Sequence, residues 1–172
     1  MKIEEMLKKG REKLIENKIA DANIVSRVLL QYVLEIDRNQ LIINQFNELE
    51  EEQIKQYIEI IDKVIEGVPL QYITNNQEFY GLDFYVDENV LIPQPDTEIL
   101  VEEVLKIAKN GDKILDICTG SGCIGISIAS NIENVEVIMT DISENALKVA
   151  EKNAKNNQVL EKVQLIQSKT LR

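Results

Sequence analysis

Two aspartates bracket a run of small residues in the second half of the chain. Asp116 sits near the end of the apolar stretch Lys113 to Ile117, and Cys118-Thr-Gly-Ser-Gly122 follows at once. Asp141 closes a second apolar stretch, Val135 to Thr140, and lies 19 residues beyond Gly122. An acid at roughly 20 residues past a strand–glycine-loop–helix turn is placed to accept hydrogen bonds from the hydroxyls of a ribose. Gly120 and Gly122 let the backbone approach a ligand, and the helix behind them offers free N–H groups. The chemistry implied is capture of the adenosine end of a cofactor. Asp141 as a plain turn residue before Ser143 is the alternative, and the glycine loop weighs against it.

Two cofactor classes compete. Gly120-Ser-Gly-Cys-Ile-Gly125 satisfies the Gly-x-Gly-x-x-Gly pattern of dinucleotide folds. A dinucleotide loop must accept a negative pyrophosphate, which a carboxylate at Asp116 would repel. S-adenosylmethionine instead carries a positive sulfonium and an ammonium, and there an acid helps, directly or through water. Asp116 as a purely structural group requires partners, because an unpaired acid on a buried strand is costly.

The elements that position these residues read as an α/β pattern. Lys113 to Ile117, Val135 to Thr140 and Lys162 to Ile166 are short apolar strands. Between them lie helices over Ser121 to Asn131 and after a Ser143 cap, the latter carrying Ala146, Leu147, Ala150 and Ala154. Strands alternating with helices imply right-handed crossovers and a parallel sheet. Upstream, Asp96 or Thr97 caps a helix with Leu100, Val101, Val104, Leu105 and Ala108 inward, stopped by Asn110-Gly111. Pro93 and Pro95 hold Ile92 and Gln94 extended. Glu78 to Val86 reads as a β-hairpin turning at Gly81-Leu82 in a type II′ turn. Phe79, Tyr80, Phe84 and Tyr85 flank it, half of the chain's eight aromatic residues, as a wall over a pocket or simply as core.

The N-terminal part is helical. Ile3, Met6, Leu7, Leu14 and Ile15 share one stripe, and Asp21 caps a helix facing inward through Val25, Val28, Leu29, Tyr32, Val33 and Ile36. Asn47 with Glu50 forms a capping-box pattern opening a helix that buries Leu49, Ile54, Tyr57, Ile58, Ile61, Val64 and Ile65. Gly67 and Pro69 end it. The acidic run Glu48 to Glu52 suits the positive end of that helix.

The 172 residues carry 19 Lys/Arg against 30 Asp/Glu, a net charge of −11. That surface disfavours broad nucleic-acid binding, leaves room for local basic spots and attracts a basic protein partner. No apolar run reaches the roughly 20 residues of a membrane helix, and the N-terminus lacks the apolar core of a signal peptide, so a cytoplasmic location is expected. There is no histidine, which excludes an imidazole base or ligand within these residues. Cys118 and Cys123 lack zinc or redox spacing and are expected to be two small buried thiols.

Several motifs together resemble one family. Pro69-Leu-Gln-Tyr-Ile73, Glu78-Phe-Tyr-Gly-Leu82, Leu91-Ile-Pro-Gln-Pro-Asp-Thr-Glu98, Leu115-Asp-Ile-Cys-Thr-Gly-Ser-Gly122 and Asp141-Ile-Ser143 look like the successive signatures of the release-factor glutamine methyltransferases (the HemK/PrmC family). The resemblance implies a helical substrate-docking domain over 1–68, a β-hairpin linker over 69–92, and a class I, Rossmann-like methyltransferase domain from 93 to 172. It implies methyl transfer from S-adenosylmethionine to the glutamine amide of a Gly-Gly-Gln loop in peptide chain release factors during translation termination. It assigns Asp116, Cys118, Thr119, Gly120, Ser121, Gly122 and Asp141 to the cofactor. No catalytic residue and no metal ligand is assigned.

Gln94 stands where the family commonly has Arg, and Cys118 where it commonly has Gly. The family's Asn-Pro-Pro-Tyr motif, which holds the substrate amide, does not occur in these residues. With three strands only, the first strand's outer edge is expected to be bare, open to another segment or to self-association. The reading is therefore the N-terminal half of such a domain, binding the cofactor weakly without turnover. A nicotinamide-dependent oxidoreductase and a non-enzymatic partner-binding module are the alternatives.

Overall fold

The computed structural model describes residues 1–168. They fall into two compact units, Met1–Thr74 and a second that begins at Asn75.

The first unit is helical: α1 Ile3–Glu16, α2 Ala22–Leu34, α3 Arg38–Ile43, α4 Glu51–Ile65 and α5 Leu70–Thr74. Its core joins Ile3, Met6 and Leu14 of α1, Val25, Leu29 and Leu30 of α2, and Tyr57, Ile61 and Val64 of α4. The helix ends are set by local chemistry. Asp37 accepts the Gln40 N–H at 2.8 Å, and Gln40 reaches back to the Asp37 N–H at 3.0 Å. At the end of α4, Gly67 takes φ +97°, and Val68 N–H donates to Lys63 O at 2.9 Å, closing the helix in a Schellman turn.

The periodicity locates α1, α2 and α4 but not every face of them. The inward stripe of α2 is Ala22, Val25, Ser26, Leu29 and Leu30, and Tyr32 is exposed. Ile15 and Ile58 are exposed as well. Asp21 precedes α2 in the left-handed region and its side chain caps nothing. The capping box of α4 is Glu50 with Gln53, not Asn47 with Glu50, so the helix begins three residues later than expected. The short helices α3 and α5 carry no such periodic signal and are not among the expected elements.

Gly10 occupies the buried stripe of α1 because Tyr57 fills the space a side chain would need. A methyl at Gly10 would overlap the Tyr57 hydroxyl, which donates to Ser26 O at 3.0 Å. Tyr57 is fully buried, and moving its ring away from residue 10 would pull the hydroxyl off Ser26 O.

The second unit opens with a hairpin, β1 Gln77–Phe79 and β2 Leu82–Phe84. Phe79 pairs with Leu82, so the turn residues are Tyr80 and Gly81, at φ +53° and +71°. Two positive φ values make a type I′ turn, one residue earlier than the expected Gly81-Leu82 turn. Phe79 and Phe84 meet edge-to-face at 6.0 Å. Both are buried in the core of this unit, which contributes roughly 1.5–3 kcal/mol for each ring. A 3₁₀ turn, Pro95–Thr97, leads into α6 Glu98–Ile107, with Val101 inward and Leu100 exposed.

The sheet follows: β3 Lys113–Ile117, α7 Cys123–Asn131, β4 Glu136–Asp141, α8 Glu144–Asn156 and β5 Val163–Gln167. The strands are parallel in the order β3-β4-β5. The face carrying Ile114, Val137, Met139, Val163 and Leu165 packs into the core with residues of α7 and α8. The alternate residues Leu115 and Ile117 are 56% and 44% exposed. Among the described residues β3 has β4 as its one neighbour, and no helix is long and apolar enough to cross a membrane.

The substitution Gly10→Ala is expected to lower stability by about 1–3 kcal/mol, because overlap with Tyr57 outweighs the helix-propensity gain. Urea denaturation of the two chains checks it; an unchanged or higher midpoint would show that Tyr57 yields.

Candidate cofactor site

The site forms where β3 and β4 end. After Ile117 the chain turns through Cys118 at φ +62°, Gly120 at +57° and Gly122 at +83° before entering α7. Three left-handed residues in five make a tight loop that glycine tolerates and cysteine does not favour. A Cβ on Gly120 would meet nothing within 4 Å, so the loop tip borders open space; one on Gly122 would strike Ile126 Cδ1 at 2.7 Å. The third glycine acts differently. A Cβ on Gly125 would lie 2.6 Å from Met139 Sδ and 3.1 Å from Asp116 Oδ2. Its absence lets α7 lie close against β3 and β4.

Asp116 holds this loop from below. It is 9% exposed, on the sheet face that carries α7. Its Oδ2 accepts from Thr119 Oγ1 at 2.6 Å and from the Gly125 N–H at 3.1 Å. Gly125 is the third residue of α7, and the N-cap, Gly122, has no side chain to offer. Asp116 therefore caps α7 from the preceding strand and places a negative charge against the positive end of the helix. Burial raises the Asp116 pKa above the ordinary carboxylate range; the Thr119 and Gly125 hydrogen bonds oppose that rise, and the nearby Asp141 charge adds to it.

Asp141 faces the loop from the end of β4. Its Oδ2 accepts the Gly120 N–H at 3.0 Å and its Oδ1 the Ser143 N–H at 2.9 Å. Thr119 N–H donates to Thr140 O at 2.9 Å, so the loop is fastened to β4 twice. Ser143 caps α8 as expected, accepting the Ala146 N–H at 3.2 Å. A carboxylate has about four acceptor positions, and Asp141 uses two of them on backbone.

Of the two cysteines expected to be buried, one is and one is not. Cys123 is buried, with its thiol pushed up to about 11 by desolvation. Cys118 is exposed, because its left-handed backbone turns it out of the core. Thr119 and Ser121 are buried in the loop. Thus Asp116, Cys118, Thr119, Gly120, Ser121, Gly122 and Asp141 all gather at one loop between two strand ends.

One residue of this site escaped the sequence reading. Asn153 on α8 is fully buried. Its Oδ1 accepts the Tyr85 N–H at 2.7 Å, and its Nδ2 donates to Tyr85 O at 3.0 Å and to Ser121 O at 2.8 Å. A single amide thus clips the exit of the aromatic hairpin to the glycine loop. Asn157, one turn on, donates to Asp83 O at 3.0 Å. The Lys152 ammonium lies 3.1 Å from the centre of the Tyr85 ring. The only sequence signal was an Asn among the alanines of the inner face of α8.

A parallel sheet with a glycine loop after its first strand and an acid after its second defines a Rossmann-like, methyltransferase-type domain. Residues 94–172 match the methyltransferase small domain model, and residues 5–74 match the PrmC N-terminal domain model. The chain belongs to the release factor glutamine methyltransferase family. It is 44% identical over 167 residues to the release factor glutamine methyltransferase of Clostridium acetobutylicum, covering 96% of this chain and 59% of that protein. To that of Borreliella burgdorferi it is 41% identical over 151 residues, 87% of this chain and 52% of that protein. The chain thus spans three fifths or less of the length of these curated relatives. Among solved structures, the M. jannaschii tRNA m1G37 methyltransferase aligns at TM-score 0.48 and 23% identity, over 55% of this chain and 29% of that one.

The raised pKa of Asp116 has a consequence for stability. A carboxyl whose folded pKa exceeds its unfolded value, near 3.9, contributes stability fully at lower pH and loses it as pH rises through the raised value. Asp116→Asn keeps an acceptor for Thr119 and Gly125 without the charge. The drop in urea midpoint between pH 4 and pH 7 is expected to be smaller in that variant than in the parent; equal drops would show that the Asp116 charge is not penalised. Truncating Asn153 removes its bonds to Ser121 O, which is buried, and to both backbone groups of half-buried Tyr85, and Asn153→Ala is expected to lower stability by about 1–3 kcal/mol. Its folded fraction, measured by calorimetry, is also expected to bind S-adenosylmethionine more weakly, whereas a purely structural Asn153 would leave that affinity unchanged.

Proposed function

We propose that this chain supplies the cofactor-holding part of an enzyme that transfers a methyl group to the glutamine side-chain amide of a release factor's Gly-Gly-Gln loop. The observation that carries this reading is the Asp116 cap on α7. Its carboxylate already accepts the Gly125 N–H and offsets the helix dipole where a dinucleotide would need to place its pyrophosphate. A ligand with positive charge near that strand end meets attraction instead. This supports S-adenosylmethionine over a nicotinamide dinucleotide, although the glycine spacing fits both.

The residues present fit that cofactor. The open space above Gly120 admits a ligand against the loop backbone. The Asp141 carboxylate retains acceptor capacity for two ribose hydroxyls. Cys118, Thr119, Gly120, Ser121 and Gly122 form the backbone cradle, and Asp116 acts chiefly by fixing their shape. The cofactor supplies the electrophilic methyl group. An amide nitrogen is a weak nucleophile because its lone pair is delocalised, so turnover depends on holding the amide in line with that methyl. The Asn-Pro-Pro-Tyr sequence associated with that task in the family is not among these residues. The helical unit, which matches the PrmC N-terminal domain model, is assigned to docking of the release factor.

Titration of the chain with S-adenosylmethionine and, in parallel, NADH tests the reading. Saturable binding of the former alone is expected, and Asp141→Ala is expected to weaken it at least tenfold through loss of the ribose contacts and of the Gly120 tie. Preferential binding of NADH would reverse the cofactor assignment.

A further inference from the structure

We infer that a cleft between α1 and α2 binds the side-chain carboxylates of a short acidic stretch of the protein that presents the glutamine; this rests on the release-factor reading above. The cleft, about 380 Å³, is walled by Glu4, Leu7, Lys8 and Arg11 of α1 and by Asn23, Ser26 and Arg27 of α2. Three of these seven side chains are cations in a unit and a chain where acids predominate.

Among the described residues the cations of the cleft have no carboxylate partner. The five ion pairs among the described residues engage Lys13, Lys106, Lys113, Lys148 and Lys155. Lys8, Arg11 and Arg27 are in none of them, although Glu4 stands in the same wall. With acids in excess along the sequence, cations converging on one concavity without a carboxylate partner leave a local positive field open to an anion. Arg11 is oriented toward α2 by one bond, Nη1 to Asn23 Oδ1 at 3.4 Å. A guanidinium has five donors, so most remain for a carboxylate. The cleft lies between packed helices whose facing residues include the buried Leu14, Ser26 and Leu29, so the charges are carried on a rigid frame.

The size and surroundings select the occupant. A nucleic acid carries phosphates far beyond a cleft of this volume and would meet the net charge of −11. A short acidic segment presents its charges locally, within the roughly 8 Å over which charges act at physiological salt.

The test uses the full chain and a hexaglutamate peptide, with hexaglutamine and a hexauridylate as comparison ligands, followed through backbone amide NMR shifts. Hexaglutamate is expected to shift the amides of Lys8, Arg11, Asn23 and Arg27 saturably, and hexaglutamine is not. The double variant Arg11→Gln, Arg27→Gln is expected to weaken that binding at least tenfold while S-adenosylmethionine titrates as in the parent. Arg11→Lys with Arg27→Lys keeps the charge and is expected to retain most of the affinity, which separates loss of charge from loss of fold. Absence of hexaglutamate shifts at these four residues, or tighter binding of hexauridylate there, would overturn the inference. Neither result touches the cofactor titration, whose failure would instead strike the functional reading.

Discussion

A single carboxylate, that of Asp116, determines how the second unit is assembled around its site. One oxygen atom receives both the hydroxyl of Thr119, within the loop, and the N–H of Gly125, within the helix beyond it. Strand, loop and helix are thereby referred to one point. The close approach this needs is possible only because residue 125 has no side chain, with Met139 on the neighbouring strand already in contact range. The cost is a buried charge, and its repayment comes from the helix dipole and two hydrogen bonds rather than from an opposing cation.

The same arrangement gives the site its electrical character. The first turn of α7 has its positive end answered from inside the protein, so the mouth of the loop is not an anion hole. Asp141, across the loop, adds a second carboxylate and fastens Gly120 and Ser143. Two acids near one glycine loop favour a ligand whose charge is positive and whose sugar offers hydroxyl donors. Asn153 then extends this rigid group to the hairpin, so that the loop, α8 and the exit of β2 share one hydrogen-bonded frame.

The parts of this architecture that were legible in sequence are those governed by local chemistry. Strand β3 matched its expected limits, Lys113–Ile117, because an apolar run followed by a glycine loop has few other conformations. Ser143 capped its helix because the cap is decided within three residues. What was hidden depended on distant partners. Asn153 reads as one more polar residue of an amphipathic helix until Tyr85, 68 residues earlier, is brought beside it. Asp116 could be recognised as an acid needing partners, but not that its own loop would provide them. The hairpin turn moved by one residue because Tyr80 accepts a positive φ, which sequence preference assigns to glycine. The inner face of α2 was misjudged at Tyr32 for a related reason: period alone leaves a helix free to rotate by the width of one side chain, and packing with α1 and α4 fixed the rotation.

The clip at Asn153 also separates two properties of position 85 that are usually joined. Asn153 grips both the N–H and the C=O of Tyr85 and none of its ring. Those two bonds would serve any residue except proline, which has no N–H to give, while the ring answers separately to the Lys152 ammonium. Exchange of the side chain at position 85 would therefore leave the two backbone bonds to Asn153 in place and surrender only what the ring itself holds, the contact with the Lys152 ammonium among it.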